Sequence, residues 1–121
     1  MSNYETFIKI CERINCPRSY VGSVLSELSR LGVTEVLSDG TVEFMGFRLL
    51  GKGQNSLVFK CRVGNDYYDC NIMRFDSSMQ NLLNEVHYLR LANSIGVGPR
   101  LIGYASNVLR SEEHTSELQS P

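Results

Sequence analysis

The chain has 121 residues, 42% of them hydrophobic, and a formal net charge of −1. That size suits one small domain or part of a larger one, and that balance excludes a strong electrostatic pull toward nucleic acid or an anionic membrane surface. No apolar run approaches the ~18 residues of a membrane span. Residues 1–13 lack the charged start, apolar stretch and small-residue cleavage site of a secretory signal, so a cytoplasmic location is expected.

In chain order, residues 4–15 place Phe7, Ile8, Ile10, Cys11 and Ile14 at helical spacing. Pro17 interrupts, and a second stripe follows: Tyr20, Val21, Val24, Leu25, Leu28 and Leu31. Pro17 suits the first turn of this second helix and Gly32 the position just past its end. Two β-prone runs, Val33 to Leu37 and Thr41 to Met45, flank Ser38-Asp39-Gly40, and Asp-Gly between such runs predicts a hairpin. Residues 1–46 therefore read as helix, helix, hairpin. That order is compatible with a winged-helix-like module or with a helical prefix packed on a larger domain. Between residues 18 and 31 the only basic groups are Arg18 and Arg30, too few for a DNA-reading helix, so packing or protein contact is expected there and nucleic acid is not.

From Phe47 the pattern turns to strands: Phe47 to Leu50, Ser56 to Val63 and, after the Gly64-Asn65-Asp66 turn, Tyr67 to Phe75. Ser77 or Ser78 can cap the next helix, whose apolar positions are Met79, Leu82, Leu83, Val86, Leu89 and Ala92. Gly96, Gly98 and Pro99 end it, and Leu101 to Tyr104 and Val108-Leu109 read as two more strands. The four cysteines, Cys11, Cys16, Cys61 and Cys70, form no CxxC pair, and the histidines are not spaced to complete a zinc site. They are expected as reduced thiols serving as small apolar side chains, with no metal.

Residues 110–121, RSEEHTSELQSP, differ in character: Leu118 is their only large apolar residue. They resemble a translated short-read sequencing adapter and are expected to be a non-native, disordered tail, with the natural chain continuing beyond Leu109. The expected organisation is thus 1–46, 47–109 and 110–121.

Chemistry is suggested by Gly51-Lys52-Gly53-Gln54-Asn55-Ser56-Leu57-Val58. Two glycines at i and i+2 let backbone approach a ligand closely, and amides in such a turn can align on phosphate oxygens. A dinucleotide fold or a P-loop needs a helix after the glycines; here a strand is predicted. Strand, glycine loop, strand, strand, helix is instead the order of a kinase N-lobe.

On the stretches FRLLGKGQNSLVF and NLLNEVHYLRLANSIGVGPRLIGYASNVL, the chain resembles the archaeal predicted serine/threonine protein kinases, relatives of the RIO-type atypical kinases. The resemblance implies an α+β fold: a helical, winged-helix-like N-terminal segment, then a truncated protein-kinase-like N-lobe of antiparallel sheet plus one helix. It implies ATP and Mg²⁺ as cofactors and an unidentified protein substrate. Gly51, Lys52, Gly53 and Ser56 fall on the loop over the ATP phosphates, Val58 on the residue packed against adenine, and Glu85 on the helix glutamate that pairs with a strand-three lysine. Asn71 stands where that lysine is expected, which leaves three explanations: a degenerate, pseudokinase-like member, a substitute cation at Lys52 or Arg74, or an error in the sequence. The catalytic loop and metal-binding aspartate would lie beyond Leu109, so no phosphoryl transfer is expected of this chain itself. A small-molecule phosphotransferase, a pseudokinase scaffold and a winged-helix nucleic-acid-binding regulator are the alternatives. An uncovered lobe of this kind would expose apolar surface and self-associate.

Overall fold

The computed structural model describes residues 3–53, 55–77 and 79–112, with backbone alone at 79–81. The first apolar stripe folds as α1 (Glu5–Arg13), burying Phe7, Ile10 and Cys11. The second folds as α2 (Arg18–Arg30), which starts directly after Pro17. It ends in a Schellman arrangement: Gly32 N–H donates to the Ser29 carbonyl at 3.0 Å and Val33 N–H to that of Leu28 at 2.9 Å.

Eight strands follow or interleave: β1 (Glu35–Leu37), β2 (Val42–Phe44), β3 (Phe47–Leu49), β4 (Gly51–Lys52), β5 (Ser56–Val63), β6 (Asp66–Met73), β7 (Leu101–Tyr104) and β8 (Val108–Glu112), with α3 (Met79–Ser94) between β6 and β7. The protein is α+β. Its main sheet is antiparallel in the order β1-β5-β6-β8-β7, with β4 also paired to β5.

The predicted hairpin around Asp39-Gly40 does not form. β1 pairs with β5, setting Val36 opposite Cys61, while β2 pairs with β3. Partner choice follows burial: beside the eight-residue β5, Val36 is drawn into the core at 3% exposure, which a three-residue β2 would not provide. The tight turn is displaced to Met45-Gly46, where both residues have positive φ (52° and 85°), as a two-residue type I′ loop requires. Arg13 on α1 donates to the Met45 carbonyl, and its guanidinium lies 4.9 Å from the Phe47 ring centre, which ties this small hairpin to the first helix.

β-strand alternation splits the core in two. On one face of the sheet Leu57, Phe59, Cys61, Cys70, Ile72 and Val108 pack with Phe7, Ile10, Cys11, Val24 and Leu28 from α1 and α2. On the other, Met73 and Leu109 pack with Leu82 and Val86 from α3. Described residues before 47, from Phe7 to Phe44, share one core with strands beyond it, while β2 and β3 form a separate two-stranded sheet.

β8 continues three residues past Leu109. Arg110, Ser111 and Glu112 pair with β6, and Ser111 is buried, so the first part of the expected disordered tail is strand. Residues 113–121 lie outside the described residues. The four cysteines are free thiols, three of them buried. The outward side of α3 and the loop after it expose Tyr88, Leu91, Ile95 and Val97. No helix among the described residues is long and apolar enough to cross a membrane.

Candidate functional site

A cleft of about 430 Å³ opens between the β4–β5 turn and α3, lined by Gly53, Asn55, Ser56, Met73, Asn84, Glu85 and Tyr88. Two backbone bonds shape its glycine side. Gly53 N–H donates to the Ser56 carbonyl at 2.9 Å and Arg74 N–H to that of Asn55 at 2.8 Å. The Gly53 amide, expected to be open to a phosphate, is therefore committed to the turn; Gly53 offers the cleft a bare Cα instead. Gln54 lies outside the described residues.

Register places the rest. Cross-strand partners share a sheet face. Gly51 stands opposite Val58, Val58 opposite Asn71, and Asn71 opposite Leu109, so all four belong to the face that α3 covers. The structure thus gathers Gly53, Ser56 and Glu85 around one cleft, with Gly51, Val58 and Asn71 on the same sheet face outside its lining.

Neither substitute cation joins them. Lys52 is opposite Leu57, on the face of α1 and α2, and its ammonium lies 5.0 Å from the Phe44 ring centre. Arg74 lies just past the end of β6 and outside the cleft lining, and its guanidinium pairs with Asp76 at 3.6 Å. Among the described residues of the lining, Glu85 alone is charged.

Sequence reasoning did not single out Asn55, Met73, Asn84 or Tyr88. Two of them carried a signal. Met73 lies two residues after Asn71 on a strand, and Tyr88 lies three after Glu85 on a helix, spacings that return to the same face.

The glycines at 51 and 53 are not demanded by the fold. Neither has positive φ, and a Cβ at either would meet nothing closer than 3.5 Å. Gly40 is the contrast: a Cβ there would stand 2.0 Å from the Leu49 carbonyl oxygen.

Among the described residues no group of three or more His, Cys, Asp or Glu could hold a metal ion. No protein-family model, curated protein or solved structure matches the chain.

Proposed function

We propose that this chain is the nucleotide-facing lobe of a serine/threonine-protein-kinase-like protein, with ATP as the ligand of the cleft. One observation carries the reading: the glycine turn and Glu85, which arrive from separate elements, line a single cleft, and Ser56 and Met73 of its lining share the sheet face of Val58 and Asn71. The glycines support it, because a strand–turn–strand that does not need glycine holds two, and their bare backbone suits close approach of a ligand. In this reading Val58 meets the base, the Ser56 hydroxyl and turn backbone meet the phosphates, and Glu85 is the acceptor for a cation. No chemical step is assigned to these residues, because neither a base for the acceptor hydroxyl nor a metal ligand is among them.

A second reading, a kinase-like scaffold that does not transfer phosphate, is favoured by one observation. Among the described residues the cleft lining carries a carboxylate and no cation, so these residues leave triphosphate charge uncompensated. Charge-assisted hydrogen bonds are worth about 1.5–3 kcal/mol each.

Titration of the full chain with ATP by calorimetry, beside Asn71→Lys and Asn71→Lys/Glu85→Gln, decides between them. Asn71→Lys is expected to strengthen binding about tenfold or more, the factor carried by roughly 1.4 kcal/mol, and Glu85→Gln to remove most of that gain. Measurable binding by the unaltered chain supports the ATP-binding lobe. Binding by Asn71→Lys alone supports the scaffold. Absence of binding in every variant that still melts cooperatively overturns both.

A further inference from the structure

Three candidates stand outside the functions already assigned. The exposed stripe of Tyr88 and Leu91 on α3, with Ile95 just past its end, has nothing on its surface to specify what covers it. The Cys61 and Cys70 thiols, 2.6 Å apart, are both wholly buried and hydrogen-bonded to one another, with no route for an oxidant. The third is a hydrogen-bonded circuit that joins α2 to the cleft from the back of the sheet.

The circuit begins at Tyr20, whose hydroxyl donates to the Met73 carbonyl. That carbonyl belongs to the peptide unit whose N–H, on Arg74, holds the Asn55 carbonyl at 2.8 Å in the glycine turn. One rigid peptide plane therefore carries α2 on one edge and the turn on the other. Hydrogen bonds at the two ends of a peptide unit polarise each other, so each is strengthened by its counterpart.

The same strand end is held a second time. Met73 N–H donates to the Asn107 carbonyl at 2.8 Å, and Asn107 donates its own N–H and its side-chain amide to the Glu27 carboxylate at 2.6 and 2.9 Å. Glu27 is 3% exposed. A buried carboxylate is costly unless well bonded, and here it takes both bonds from a single turn, the one between β7 and β8. Tyr20 is itself fixed by rings, with Phe7 at 6.2 Å and Phe75 at 6.1 Å between centroids.

We infer that Tyr20 and Glu27 are positioning residues for the cleft: α2 sets the place of Met73 and of the glycine turn, although it touches no ligand itself. The N-terminal prefix is on this view a control element for the site, and a partner or modification that shifts α2 changes the cleft. The link to ligand affinity rests on the nucleotide reading above; the mechanical link from α2 to the turn does not.

The test compares Tyr20→Phe and Glu27→Gln with Tyr4→Phe, which loses a prefix hydroxyl bonded to the Val33 carbonyl at 2.6 Å, away from the cleft. Amide hydrogen exchange on the full chain reads the turn through Gly53 and Arg74, and ATP titration reads the ligand. Tyr20→Phe is expected to speed exchange at Gly53 and Arg74 about five- to tenfold, the effect of one lost hydrogen bond. It should also weaken ATP binding several-fold, while Tyr4→Phe does neither. Glu27→Gln should act in the same direction and provides the measurement if Tyr20→Phe does not fold. Unchanged exchange at both amides, or a rise spread evenly over the chain, overturns the inference. Faster exchange at the turn in a chain that never binds ATP leaves the coupling established and removes the nucleotide reading instead.

Discussion

The two faces of the central sheet are built from alternate residues of the same strands, yet they differ in kind. On β6, Tyr68, Cys70 and Ile72 turn toward α1 and α2 and meet a continuous apolar core. Their neighbours Asp69, Asn71 and Met73 turn the other way, where two of three are polar and α3 covers a much smaller cluster. One face is organised for cohesion and the other leaves room beside the glycine turn. A single strand can do both because successive side chains point to opposite sides. On the nucleotide reading proposed above, stability and ligand binding become separable by residue parity.

The largest expected effect lies on the cohesive face. Phe59 is fully buried and meets Phe7 edge-on at 6.1 Å. Phe59→Ala should cost about 3–5 kcal/mol in urea denaturation. A loss below about 1 kcal/mol would break the comparison at its root.

The glycines sharpen it. Gly40→Ala places a methyl against the Leu49 carbonyl at a φ of 132°, and should cost about 2–3 kcal/mol through strain. Gly53→Ala meets only ordinary contacts and should leave stability within about 1 kcal/mol, with a small gain from a stiffer unfolded chain. Weaker ATP binding in the same Gly53→Ala protein would separate the two properties at one residue.

The last effect is a pH dependence on the cohesive face, which vanishes near neutral pH and grows only in alkali. Burial, reinforced by Cys16, pushes the Cys11 thiol up; a hydrogen bond with Cys61, then burial, does the same to Cys70. In the unfolded chain these thiols ionise near pH ~8.5, whereas in the folded chain they stay neutral. Above that pH the unfolded state therefore holds fewer protons, and stability falls as pH rises, by up to about 1.4 kcal/mol per pH unit for each such thiol. Denaturation midpoints at pH 7 and 10 should show the decline, and Cys70→Val should make it shallower.

Much of this architecture was legible in the residues. The stripe from Tyr20 to Leu31, bounded by Pro17 and Gly32, gave α2, and Gly64-Asn65-Asp66 gave the turn between β5 and β6. Asp39-Gly40 misled because local turn propensity was outweighed by a distant strand edge. Nothing local to Val36 reveals that Cys61 will lie beside it. Met45-Gly46 was hidden for the converse reason, since methionine is a poor advertisement for positive φ. At the site, Gly53, Ser56 and Glu85, brought together beforehand only by the resemblance, line one cleft. Lys52 lies on the opposite sheet face by parity, which counting from Val58 reveals once the strands are known. Tyr20 and Glu27 left no trace, because their partners lie 53 and 80 residues away and are backbone or amide groups with no sequence pattern.

Phe59, Phe7, Tyr20 and Phe75 form a run of edge-on or tilted rings from the sheet to the strand end beside the cleft. The chain contains no tryptophan. Its near-ultraviolet optical activity therefore arises from tyrosine and phenylalanine, and Tyr20, locked among neighbouring rings, is a built-in chromophore at the junction between prefix and cleft.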